Sequence, residues 1–130
     1  VRALGARLDG GPWAVGVDAP DKAGQGSHSV IALSDAAVAT SGNYRHFIDI
    51  RGTRLAHTMN PLTGAPVVGS PASVTVLGKS CMMADAMATA LMVLGLEKGR
   101  ALATAKGMDS LFLMPSGQGL AAQGTGVFAG

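Results

Sequence analysis

Two features of this sequence combine residue types and spacing that suit chemistry: a histidine beside a turn-dense loop, and an aspartate one helical turn ahead of a threonine. His57 ends a run of strand character, just before Asn60-Pro61-Leu62-Thr63-Gly64-Ala65-Pro66. Scaffolds often present reactive groups at such places. An imidazole changes protonation near neutrality, so His57 is a candidate general base. The plainer reading is a loop or core histidine with a satisfied hydrogen bond. Asp85 lies among small apolar residues in Met82-Met83-Ala84-Asp85-Ala86-Met87-Ala88-Thr89-Ala90. A carboxylate buried there would need a partner. Thr89 falls at i+4, so both oxygen-bearing side chains leave one helical face. Oxygen donors suit a hard cation such as magnesium, which keeps positions open for phosphate oxygens and water. Against this, Asp85 also suits the helix macrodipole as an early-helix acid, with Thr89 simply packing.

Other candidates are weaker. His28 is expected in a loop and His46 at the start of a strand; no histidine pair has zinc spacing, and Cys81 is the single cysteine. Gly42-Asn43-Tyr44-Arg45 offers backbone donors, a carboxamide, a phenol and a guanidinium that could meet phosphate or adenine. It also reads as an ordinary turn.

The elements that must hold these groups come from a chain of 130 residues, 48% apolar and 14% charged, which fits one domain spanning 1–130. Aromatics are only 4%, so the core is built mainly from Ala, Val, Leu and Met. The net charge of +2 is scattered, with no basic run or stripe to track a nucleic-acid backbone. The longest weakly polar stretch, Met82 to Leu94, contains Asp85 and is shorter than the roughly 20 residues a membrane span needs. The sequence opens at Val1 without an initiator Met and reads as a piece of a longer chain, any targeting segment of which would lie upstream.

Trp13–Val17 reads as a strand, and the segment from Asp18 to Ser27 as a loop. Ser29–Leu33 and Ala36–Thr40 flank Ser34-Asp35 and are expected to pair as a hairpin; Phe47–Ile50 and Arg54–Thr58 flank Arg51-Gly52-Thr53 as a second. Ala72–Leu77 is a further strand. Ser80 is a good N-cap for a helix from Cys81 to Leu94 that ends at Gly95; a second helix from Leu96 to Lys106 stops at Gly107. A strand over Leu111–Met114 ends at Pro115, and a last short one is expected over Gly126–Ala129. This order predicts an α+β fold, a largely antiparallel sheet with two helices packed on one face.

Taken together, Thr40-Ser41-Gly42-Asn43-Tyr44, His57-Thr58-Met59-Asn60-Pro61-Leu62-Thr63-Gly64-Ala65-Pro66, Ala72-Ser73-Val74-Thr75-Val76 and Ala84-Asp85-Ala86-Met87-Ala88-Thr89-Ala90 resemble, in order and spacing, the ApbE family of FAD:protein FMN transferases. The resemblance runs from Val1 to about Met114. It departs at Asn60, where the family usually has Asp, and at Met59 beside it. It implies that this sequence is the C-terminal part of such an enzyme and that an upstream, flavin-binding part would associate with it. By the same resemblance His57 is the catalytic base, Ala56 and His57 lie at the flavin, and Asp85 and Thr89 are magnesium ligands with the Met82 carbonyl as a further one. FAD would be the substrate, and FMN would pass to a threonine hydroxyl of an acceptor flavoprotein, a redox membrane complex subunit or a reductase, with release of AMP. The resemblance also implies a periplasmic or inner-membrane-associated lipoprotein in bacteria, and a piece that is weak or inactive alone. Competing readings are an FAD pyrophosphatase, forming FMN and AMP with water, and a non-catalytic flavin- or metal-binding fragment.

Overall fold

The computed structural model describes residues 1–19, 27–43, 47–117 and 119–130. In chain order the elements are β1 (Trp13–Asp18), β2 (Ser27–Leu33), β3 (Ala37–Gly42), β4 (Phe47–Ile50), β5 (Thr53–Ala56), β6 (Ser73–Gly78), the helix α1 (Cys81–Ala105), β7 (Ser110–Ser116), β8 (Gly119–Thr125) and a closing 3-10 turn over Gly126–Phe128. The architecture is α+β and every strand pairing is antiparallel, as the element order predicts. A four-stranded sheet of order β3-β6-β7-β8 forms the centre, and β1-β2 and β4-β5 are separate two-stranded ribbons.

Strand alternation explains how the central sheet is covered. On β6, Val74 and Val76 face α1 and join Ala84, Ala88, Leu91, Met92, Ala103 and Phe112 in one core. The opposite face of β7 presents Leu111 and Leu113 to Val17, Ile31 and Leu33 of the β1-β2 ribbon, with Val38 of β3 in the same cluster. The sheet is therefore buried on both faces, by the helix on one and the ribbon on the other.

That arrangement corrects the expected hairpin between Ser29–Leu33 and Ala36–Thr40. β2 pairs with β1, and β3 pairs with β6. Asp35, at φ 49, turns the chain from one layer to the next, and its carboxylate accepts the Gly5 N–H at 2.8 Å. Leu33 and Val38 then pack into one cluster from different layers. His28, expected in a loop, lies exposed on β2.

The two expected helices form one element whose direction breaks at Gly95 (φ 77, ψ 178). Ser80 caps its start by accepting the Met83 N–H at 3.3 Å. Its end is a Schellman closure: Gly107 (φ 60) donates to the Thr104 carbonyl, and Met108 donates to that of Ala103. No helix among the described residues is long and apolar enough to cross a membrane. At the C-terminal hairpin β7 runs through Pro115, which is compatible with the ladder because the β6 pairing ends at Leu113. The expected last strand lies earlier, over Gly119–Thr125. Its Leu-Ala-Ala-Gln-Gly run carries little β propensity and is held by its partner β7, while Gly126 (φ 62) ends it.

Candidate active-site cleft

His57 owes its place to the β4-β5 ribbon. Arg51 (φ 51) and Gly52 (φ 78) form the two-residue turn, with both φ positive as a type I′ turn demands, and the Asp49 carboxylate accepts the Gly52 N–H at 2.9 Å. β5 ends at half-buried Ala56, the chain bends, and His57 emerges exposed. Thr58 turns inward. Its Oγ1 donates to Asn43 Oδ1 at 3.1 Å and touches Met92 Sδ at 3.9 Å, while its carbonyl accepts the Val67 N–H at 3.0 Å.

The loop that follows closes on itself. Met59 and Pro66 bridge, Asn60 N–H donates to the Ala65 carbonyl, and Gly64 N–H donates to the Asn60 carbonyl, both at 2.8 Å. Asn60 Oδ1 accepts the Leu62 N–H at 2.9 Å. Only an acceptor oxygen is needed there, and the Asn60 carboxamide supplies it.

On α1, Ala84, Ala88, Leu91 and Met92 are buried, while Asp85 and Thr89 share the exposed face that i,i+4 spacing requires. Asp85 is thus exposed rather than buried, and the expected need for a buried partner disappears. Thr89 Oγ1 is hydrogen-bonded to Ser41 Oγ of β3 at 2.8 Å. The Met82 side chain is exposed, and its carbonyl lies in the first turn, where intrahelical bonding engages it.

A cleft of about 710 Å³ joins these segments. Its walls are Val1, Val15–Asp18 of β1, Val38–Gly42 of β3, His57–Met59 and Thr89. Its size lies within the range of small-molecule sites. β3 is an edge strand of the central sheet. Val38 exchanges N–H and C=O bonds of 2.8 Å with Val1 on its outer side. Antiparallel alternation therefore turns the backbone groups of Thr40 and Gly42 outward as well, toward the cleft they line. His57 and Thr89 are brought to one cavity; Ala56, Asp85 and Met82 lie outside its lining.

The donor set matches a hard cation in kind, with a carboxylate and a hydroxyl on one exposed helical face. Among the described residues no group of three or more His, Cys, Asp or Glu side chains could hold a metal, so oxygens of bound phosphate and of other segments would have to complete the shell. Asn43 is committed internally, since its Nδ2 donates to Ser70 Oγ at 2.7 Å and its Oδ1 receives Thr58. Tyr44, Arg45 and His46 fall outside the described residues, as does most of the loop expected after Asp18. Ser41, Thr58 and the β1 wall were not legible as site residues. Ser41 meets Thr89 across 48 positions, and only the fold creates that pair.

The ApbE family model matches residues 1–112. The FAD:protein FMN transferase of Vibrio cholerae is 40% identical over 119 residues, covering 92% of this chain and 36% of that protein. That of Haemophilus influenzae is 32% identical over 129 residues, covering 98% and 37%. The apo crystal structure of the Pseudomonas stutzeri flavinyl transferase ApbE superposes with a TM-score of 0.81 at 39% identity, covering 98% of this chain and 39% of that one. The ApbE protein of Thermotoga maritima gives 0.80 at 31% identity, covering 95% and 39%. The chain thus spans little more than a third of the length of these relatives. With the family match and the fold in agreement, this chain belongs to the ApbE family.

Proposed function

We propose that this chain is the part of an FAD:protein FMN transferase that carries the base and the metal-facing helix, and that the remainder of a family-length polypeptide supplies most of the flavin contacts. The observation that carries the reading is the cleft in which exposed His57 and the Thr89 hydroxyl line one cavity beside outward backbone groups of an edge strand. The substrate is FAD and the acceptor is a flavoprotein threonine. A hydroxyl is a weak nucleophile at its own pKa and needs a neighbouring base. His57 takes the proton from the threonine Oγ, that oxygen bonds to the phosphorus of the FMN moiety, and the bond from that phosphorus to the bridging oxygen breaks, so that AMP leaves with that oxygen. Asp85 and Thr89 would hold magnesium, which when bound offsets charge on the pyrophosphate. The Met82 carbonyl is a further candidate, the weakest of the three because the helix already engages it.

Ala56 ends β5 beside His57 and sets where the imidazole leaves the ribbon. The loop after His57 exposes Leu62 almost completely and is pinned by its own bonds, which suits a preformed docking site for an acceptor peptide. Cellular location belongs to the same proposal: the family resemblance favours a bacterial periplasmic or inner-membrane lipoprotein. The test is AMP release from FAD by the family-length protein with magnesium, with and without an acceptor domain. AMP that forms only with acceptor supports transfer. AMP that forms equally without it points to the pyrophosphatase, and none under any condition points to a flavin or metal binder.

A further inference from the structure

The Asn43 side chain joins segments far apart in sequence. Its Oδ1 accepts from Thr58 Oγ1 at 3.1 Å, its Nδ2 donates to Ser70 Oγ at 2.7 Å, and its backbone N–H donates to the Ala72 carbonyl at 3.0 Å. A planar amide carries acceptor and donor on opposite corners, which is what a bridge between two hydroxyls uses. Asn43 directly follows β3, whose last residues line the cleft. Thr58 directly follows His57. Ser70 and Ala72 lead into β6, the neighbour of β3.

Thr58 is held from several sides, by Asn43, by the Met92 sulfur and by the Val67 N–H, and the Met59 to Pro66 bridge begins one residue later. His57 is exposed, and the strand before it belongs to a ribbon separate from the central sheet. The ties from Thr58 thus hold the backbone from which the His57 side chain leaves, next to β3 and Thr89. We propose that Asn43 is a positioning residue. It locks the His57–Thr58 segment to the end of β3 and so fixes the imidazole in the cleft, without touching substrate itself. This rests on the reading of His57 as the base.

The experiment compares Asn43→Ala, Thr58→Val, the double variant, Thr58→Ser and His57→Ala in the family-length protein, with rates counted per folded molecule. Misplacing a reacting group by about 1 Å costs on the order of a hundredfold. Each of Asn43→Ala and Thr58→Val is expected to lower kcat by about ten- to a hundredfold, with KM for FAD little changed. The double variant should fall no further than the worse single one, because both remove the same tie. Thr58→Ser keeps the hydroxyl and should restore kcat. Amide exchange at Val67, which donates to Thr58, should quicken in Asn43→Ala while that of Leu111 and Leu113 in β7 does not.

Unchanged kcat in both single variants, losses that multiply in the double, or unaltered exchange at Val67 would overturn the proposal. Should Asn43→Ala not fold, Thr58→Val, nearly equal in volume, carries the same kinetic comparison. His57→Ala separates the two layers of the argument. If that variant is fully active, the base assignment is wrong, and the exchange at Val67 alone decides whether Asn43 locks the segment.

Discussion

Asp85 and Thr89 illustrate how a spacing argument can succeed in geometry and fail in environment. They occupy one helical face, but Asp85 is exposed, so no burial penalty demands a cation there. Asp85→Asn is therefore expected to change stability by no more than about 0.5 kcal/mol. If it is a magnesium ligand, the same change should raise the magnesium concentration needed for half-maximal AMP release several-fold in the family-length protein. A shifted denaturation midpoint with an unshifted magnesium requirement would count against the ligand role. Thr89→Val removes the bond to Ser41 and should cost on the order of 1 kcal/mol. His57 was legible because a histidine at a strand end before a Pro- and Gly-rich loop is a local pattern. The Ser41 to Thr89 and Asn43 to Thr58 bonds were not, because each needs two segments brought together by tertiary structure.

Elements whose ends are fixed by local chemistry were read correctly. Ser80, Gly95 and Gly107 mark the start, the break and the end of α1, each through a cap or a positive φ that the residue type announces. At Gly95 an added Cβ would meet nothing within 4 Å, so the cost of Gly95→Ala is one of backbone conformation alone, about 1–3 kcal/mol by chemical denaturation. Gly99→Ala differs in cause, since its Cβ would lie 2.8 Å from the Leu91 carbonyl and 3.1 Å from the Phe112 ring. Overpacking of about 1–3 kcal/mol is expected, and Phe112→Leu should relieve part of it in the double variant. Pairing was less legible than element identity. A hairpin between β2 and β3 was a sound local inference, yet β3 is needed in a sheet covered on both faces, and β6 is its partner. β8 lies ahead of the expected Gly126–Ala129 because pairing with β7 places it, while its own sequence lacks β-branched residues until Thr125. The loop after His57 supports a prediction of its own: Leu62→Ala and Thr63→Ala should raise KM for the acceptor and leave KM for FAD unchanged. Equal acceptor affinity in both variants would remove the loop from the docking site.

The molecule as a whole is three layers, helix on sheet on ribbon, and the cleft opens where the ribbon, the edge of β3 and the His57 segment meet. Phe112, fully buried between the sheet and α1, anchors the larger core, and Phe112→Ala should cost about 3–5 kcal/mol. The α+β class and the antiparallel sheet followed from the order of elements, whereas the division into a central sheet and two ribbons depended on which faces had to be buried together. Because the chain spans little more than a third of its relatives, the positioning energy for FAD is expected to come largely from the rest of a family-length protein. The decisive measurement is the intact mass of a threonine-bearing acceptor domain after incubation with FAD, magnesium and the family-length protein containing these residues, in parent and His57→Ala forms. Gain of one FMN unit with the parent, and its loss or at least a hundredfold slowing with His57→Ala in a folded protein, is the predicted result. FMN transfer that proceeds undiminished without the imidazole, or an acceptor that never gains flavin, would contradict the account.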